Sequence, residues 1–286
     1  MSWQRLGKLP LESITPADMP RLKHSIPAEL PPAEQLDLAR LQAGCASGAC
    51  DLVVVLGPTA SGKTRYAVAL ARQLGGEIIS ADSRQVYRGM DIGTGKDLAE
   101  YGTVPYHLID IAPAGAQYNV WQFQQDFARV WADIRARGAV PVLCGGTGMY
   151  INAVTRGYDF SERTPLSAAR PQGSAPRADL PQHPFFIGTL VSREVRNARI
   201  DARLDARLQE GMIDEIRGLL EGGVPAETLI SYGLEYKFVT LYLQGVLPYE
   251  EMRRQLATAI HQFAKRQMTW FRGMERSGVR IHWVQV

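Results

Sequence analysis

The chain reads as an α/β protein, a parallel sheet flanked by helices with a helical C-terminal portion, and three observations predict it. Short apolar runs of strand length alternate with amphipathic helical patterns from residue 51 onward. The runs are rich in β-branched residues, as strands buried on both faces are. A glycine-rich turn leads from the first run straight into a helix. Strand, helix and parallel strand in succession cross over in the right-handed sense, so the alternation covers both faces of one sheet.

Residues 1–50 hold Pro10, Pro16, Pro20, Pro27, Pro31 and Pro32, which break any long helix. They are expected to form a Pro-rich N-terminal arm with one short helix, Ala33 to Gln42. Residues 51–157 are the core. DLVVVLG, from Asp51 to Gly57, is a buried strand. It is followed by a helix from Lys63 to Leu74 and by strands at EIIS (Glu77 to Ser80) and YHLID (Tyr106 to Asp110). A helix from Val120 to Arg137 and a strand at VPVLCGG (Val140 to Gly146) complete it. Residues 158–184 are rich in Pro, Ser, Ala and Arg without a sustained apolar period, which predicts a flexible surface loop. Residues 185–286 resume with a strand, FFIGTLV (Phe185 to Val191). A long amphipathic helix then runs from Ser192, an N-cap residue, to about Leu220 before Gly222 and Gly223. Helices from Tyr232 to Leu243 and from Pro248 to Glu275 lead to a last strand, VRIHWV, which completes the core. No internal repeat is visible.

Composition excludes several classes. With 45% hydrophobic and 21% charged residues in 286, the chain is neither disordered nor fibrous. It has no run of 18 apolar residues, and its start, MSWQRLGKLP, lacks a secretory pattern, so a cytoplasmic protein without a membrane span is expected. Cys45, Cys50 and Cys144 are too few for a zinc site and odd in number, which reads as idle or buried thiols. A net charge of +3 is too weak to coat nucleic acid, although Arg dominates the basic set and suits phosphate contacts.

Gly57-Pro-Thr-Ala-Ser-Gly62-Lys63-Thr64 fits GxxxxGK[ST] between a strand and a helix, the context of a P-loop. Its amides form an anion nest backed by the helix N-terminus, Lys63 supplies a cation, and Thr64 is a Mg²⁺ ligand. The architecture is therefore P-loop NTPase-like. The nest accepts a nucleotide such as ATP or any other diphosphate. Asp82, just past the second strand, can be a Mg²⁺ ligand, a general base or a helix cap. Cys144-Gly-Gly-Thr147-Gly brings a third strand end to the same crevice. Arg193, Arg196, Arg199, Arg203 and Arg207 recur at helical spacing, as a solvated face paired with Glu194, Asp201 and Asp205 or partly as a phosphate-binding stripe. From Met252 to Arg280 there are seven basic residues against one acid. Arg254, His261, Lys265, Arg272 and Arg276 share one face there, a surface for RNA phosphates or an ordinary solvated face.

GPTASGKT, ISADSRQVYRGMDIGTGK, GGTGMYI and AKRQMTWFR, in that order, resemble the bacterial tRNA dimethylallyltransferase family over roughly residues 51–158 and 185–283. The resemblance implies transfer of a dimethylallyl group from dimethylallyl diphosphate, with Mg²⁺, to the N6 amine of the adenosine beside the anticodon of tRNA. It makes Asp82 the catalytic base, with Thr59 and Arg203 as further catalytic residues. Gly57, Thr59, Ala60, Ser61, Gly62, Lys63 and Thr64 would hold the diphosphate. Ser83, Arg84, Gln85 and Thr147 would contact the target nucleotide, and Lys265 and Arg272 the tRNA, by a monomeric enzyme. Two segments depart from the family pattern. The family's helical insertion, with its RALE-like run, is replaced by residues 158–184, so the chain resembles a shortened member. Tyr232-Gly-Leu-Glu235-Tyr-Lys237 also stands where a GYRQ-like turn is expected. Transfer to free AMP, ADP or ATP is the alternative within this chemistry, and a P-loop kinase or NTPase, with Asp110 ending HLID as its metal-binding carboxylate, the alternative outside it.

Overall fold

The computed structural model describes residues 30–158 and 178–286. Most of the Pro-rich arm and most of the loop expected over residues 158–184 lie outside the described residues. β1 (Leu52–Leu56) is buried at every position and lies inside a six-stranded, wholly parallel sheet. Its neighbours are β6 (Val140–Gly145), with Val55 opposite Cys144, and β7 (Pro184–Leu190), with Val55 opposite Ile187. Outside β6 come β2 (Gly76–Ser80) and a short edge strand, β4 (Tyr106–His107); outside β7 comes β8 (Ile281–Gln285). β3 (Tyr87–Arg88) and β5 (Ala112–Pro113) pair separately.

Alternation along β1 divides the core. Leu52, Val54 and Leu56 face α3 (Val120–Ala136), α4 (Gly148–Thr155) and α9 (Tyr249–Arg276), through Phe123, Phe127, Ile151 and Phe271. Val53 and Val55 face α2 (Lys63–Leu74), through Ala67, Val68 and Ala71, and also Leu41 of α1 (Leu38–Ser47). A third cluster lies among α5 (Arg193–Gln209), α6 (Met212–Glu221), α7 (Ala226–Tyr232), α8 (Leu234–Leu243) and α9, around Leu204, Ile216, Tyr236 and Leu256. Among the described residues no helix is long and apolar enough to cross a membrane.

Four elements differ from the sequence expectation. The first helix is Leu38–Ser47 rather than Ala33 to Gln42, because the Asp37 side chain accepts the Arg40 N–H at 3.0 Å and so caps the helix there. Residues 31–50, assigned above to the arm, pack on the core: Leu41 is buried, and Gln42 donates to the Gln73 carbonyl at 3.0 Å. YHLID is a strand only at Tyr106–His107. Leu108 and Asp110 take left-handed φ of 62° and 55°, and the Asp110 N–H bonds the Gln85 carbonyl at 3.1 Å instead of a ladder partner. The long helix from Ser192 breaks between α5 and α6 at Gly211, whose φ of 100° only glycine adopts without strain. The helix expected from Tyr232 to Leu243 is present as Leu234–Leu243 and begins after Gly233, φ 154°; the helix before it, Ala226–Tyr232, was not expected.

Candidate active site

The carboxyl ends of β1, β2 and β6 open on one crevice, as parallel strands require. Above β1 the P-loop turns through left-handed Ala60 (φ 63°) and Gly62 (φ 78°) into the N-terminus of α2. It is pinned from two sides. The Ser61 hydroxyl is fully buried against the Thr189 hydroxyl of β7 at 2.7 Å, and a side chain at Gly57 would meet both groups. The Gln267 side chain of α9 accepts from the Thr59 N–H at 2.8 Å and the Thr59 hydroxyl at 3.2 Å. Its amide donates to the Gly146 carbonyl at 3.1 Å. One residue of the last helix thereby ties the P-loop to the end of β6.

A cavity beneath the loop is lined by Thr59, Lys63, Thr64, Asp82, Arg203 and Arg207, among others. Burial lowers the Lys63 ammonium from its ordinary value; Cys144 and Asp82 oppose this, while Arg203 and Arg84 add to it. Arg207 is pushed down to about 10, first by burial and then by the Arg203 guanidinium, against the pull of Glu235. Such crowded, desolvated cations favour an anion that can sit among them. The Arg203 guanidinium bonds the Gly95 carbonyl at 3.2 Å and Asp97 at 2.9 Å and also borders a second opening, between α2 and α5, with Arg199.

A second crevice adjoins the first and shares Asp82, Arg84, Leu234 and Phe263 with it. Its further walls include Ser83, Thr147, Tyr232 and Gln267. The Asp82 carboxylate accepts the Arg84 N–H at 3.0 Å, a local turn that caps no helix. Thr147 starts α4, yet its hydroxyl turns away from the helix to accept the Ser83 N–H at 3.2 Å, joining two strand ends. Gln85 is committed to the fold, accepting from the Ser80 hydroxyl at 3.2 Å and donating to the Gly95 carbonyl at 3.3 Å. Arg84 likewise points to Glu235 of α8, at 2.8 Å.

The arginine stripe does not pair along its own helix. Asp205 binds Arg253 and Asp201 binds His261, both on α9, and Arg207 turns into the cavity. Lys265 and Arg272 line neither cavity. Lys265 is about 200° around α9 from Gln267, so it faces away from the crevice. Arg254 is engaged by Glu251 at 2.5 Å. Sequence reasoning assigned no role to Gln267, Arg266, Phe263 or Glu235. Arg266 lies 6.0 Å from the Phe263 ring at the crevice, and AKRQMTWFR, residues 264–272, holds two of the four, Arg266 and Gln267.

Cys144 occupies the end of the strand beside the P-loop strand, and burial pushes its thiol up to about 11, against the attraction of Lys63. A thiol raised this far stays protonated below that pH. At pH 8 iodoacetamide is therefore expected to leave Cys144 unmodified while half-buried Cys45 reacts, as read by peptide mass spectrometry. Rapid labelling of Cys144 would contradict the enclosed site.

The model of the family described as IPP transferase matches residues 85–175 and 160–274, and that described as isopentenyl transferase matches residues 50–102. The chain is 50% identical to tRNA dimethylallyltransferase 1 of Porphyromonas gingivalis, covering 82% of this chain and 93% of that one. It is also 50% identical to tRNA dimethylallyltransferase 1 of Geotalea uraniireducens, with the same coverage. The crystal structure of the full-length tRNA isopentenylpyrophosphate transferase from Bacillus halodurans superposes with a TM-score of 0.71 at 33% identity, over 82% of this chain and 89% of that one. The alignment with the Porphyromonas protein runs over 281 positions while covering 82% of this chain's 286 residues, so part of the relative is aligned with no residue here.

Proposed function

The chain belongs to the IPP transferase family, and from that membership we infer that it is a tRNA prenyltransferase, which moves a dimethylallyl group from dimethylallyl diphosphate to the N6 amine of the adenosine beside the anticodon. The observation that carries this reading is the pair of adjoining cavities that meet at Asp82. One is cationic and suits a diphosphate, the other is walled by hydroxyls and an aromatic ring and suits a nucleobase, and the carboxylate stands between them.

As the bond from the allylic carbon to oxygen breaks, negative charge grows on the leaving diphosphate. Lys63, Arg203 and Arg207 are already in place to stabilise it. An adenine amine is a weak nucleophile, and the Asp82 carboxylate takes its proton as the new bond forms. Phe263 offers a flat wall for the base, and Thr147 with Ser83 fixes the floor between two strand ends. Mg²⁺ fits the donor set: Thr64 supplies a hydroxyl in a cavity that also holds a carboxylate, and this ion takes its remaining ligands from phosphates and water. When bound it neutralises diphosphate charge.

A kinase or NTPase reading finds no support in the carboxylate it needs. The β6 strand beside β1 ends in Cys144 and Gly145, without a carboxylate, and Asp110 lies beyond the edge strand, paired with buried Lys96.

Incubating the purified protein with labelled dimethylallyl diphosphate, Mg²⁺ and either bulk tRNA or AMP tests the reading. Label is expected in tRNA; label only in AMP would replace this acceptor with the mononucleotide one. Lys265, Arg266 and Arg276 are exposed on α9, and three phosphate contacts give a log-log salt slope of about −2 for single-strand-like RNA. Raising salt from 50 to 200 mM is then expected to weaken tRNA binding roughly 20-fold. Lys265→Ala with Arg276→Ala flattens the slope by about 1.4. An unchanged slope would remove these residues from the interface.

A further inference from the structure

Four cations, Lys63, Arg84, Arg203 and Arg207, and two carboxylates, Asp82 and Glu235, line the donor cavity. Glu235 lies in the segment Tyr232–Lys237 where the sequence departs from the family's turn, and it is nearly fully enclosed, its side chain 5% exposed. Its two oxygens are divided between two arginines: Oε2 lies 2.8 Å from Arg84 and Oε1 3.5 Å from Arg207. Arg84, 16% exposed, stands between two carboxylates, 2.8 Å from Glu235 and 3.6 Å from Asp82. Burial alone would lower the Arg84 guanidinium, but Glu235 and then Asp82 hold it above its ordinary value. The Arg84 stem passes Gly233 so closely that a Cβ there would come within 2.8 Å, and its guanidinium lies 5.7 Å from the Phe263 ring. The arginine is thus confined to a path whose two ends are acids.

We propose that Glu235 is a positioning residue that draws the Arg84 guanidinium toward itself and so keeps its approach to the base Asp82 at 3.6 Å. The proposal rests on the tRNA prenyltransferase reading. Without the Glu235 charge, Arg84 closes on Asp82, because a buried guanidinium needs a carboxylate partner. The closed pair neutralises the base and weakens its hold on the amine proton, which slows the chemical step. The cavity meanwhile loses one negative charge beside the diphosphate, so the donor binds more tightly. The two effects have opposite signs in the rate constants.

Glu235→Gln keeps the size of the side chain. It is expected to lower kcat roughly tenfold or more and to lower KM for dimethylallyl diphosphate about threefold, with tRNA as acceptor. Adding Arg84→Met removes the guanidinium that would close on Asp82 and is expected to recover part of the lost kcat. If Glu235 only supported packing, kcat would fall while KM rose, and the second substitution would compound the loss; that outcome overturns the proposal, as does a variant indistinguishable from wild type. Failure of the wild-type protein to prenylate tRNA would instead overturn the reading on which the proposal rests.

Discussion

Asp82→Asn is expected to slow prenyl transfer roughly 10²-fold or more while the donor still binds, the usual scale for losing a positioned general base. Asparagine keeps the oxygen that accepts the Arg84 N–H at 3.0 Å, so the turn after β2 survives and only the basic charge is lost. Removing that charge also takes one negative group from the cavity, so affinity for the diphosphate does not fall. Single-turnover transfer and equilibrium binding of dimethylallyl diphosphate, measured on one preparation, separate the two effects. Turnover at the wild-type rate would remove Asp82 from the mechanism.

The second large effect concerns stability and lies outside the crevice. The Glu215 carboxylate on α6 accepts the backbone N–H groups of Asp91 and Ile92 at 2.7 Å and Gly93 at 3.1 Å, and the Tyr236 hydroxyl at 2.7 Å. Hydrogen bonds to a charged acceptor contribute about 1.5–3 kcal/mol each, and their loss here leaves part-buried donors unpaired. Glu215→Ala is therefore expected to destabilise the fold by about 3 kcal/mol and to lower Tm by roughly 6–12 °C. The loop so held supplies the Gly95 carbonyl that anchors Arg203, so KM for the donor should rise as well. A Tm within 2 °C of wild type would show that solvent replaces the carboxylate.

What could be read in the sequence was local or periodic. The α2 bounds, Lys63 to Leu74, follow from a strand, a glycine loop and a helix in succession, and the long α9 follows from its apolar stripe. The breaks were less visible. Gly211 sits in an amphipathic pattern that continues past it, and a single glycine inside such a pattern is commonly tolerated. YHLID has strand composition throughout, but Asp110 is drawn out of line by Lys96, whose enclosed ammonium also reaches Asp91 at 2.8 Å. The P-loop residues and Asp82 were legible because the motif names the chemistry. Glu235, Gln267 and Glu215 were not, since each meets its partner across more than 100 residues of chain and no local pattern announces the meeting.

The segment before α1 does more than connect. The Glu34 N–H bonds the carbonyl of Trp283 on β8 at 2.6 Å, and the Glu34 carboxylate meets His282 at 2.7 Å. β8 is the outermost strand on its side of the sheet, and an uncovered strand edge is a template on which another chain can add a strand. At the opposite margin β4 is only two residues long and offers little to pair with. Glu34 therefore occupies part of the open margin of β8 and shortens the run of unpaired backbone groups that this side of the sheet presents.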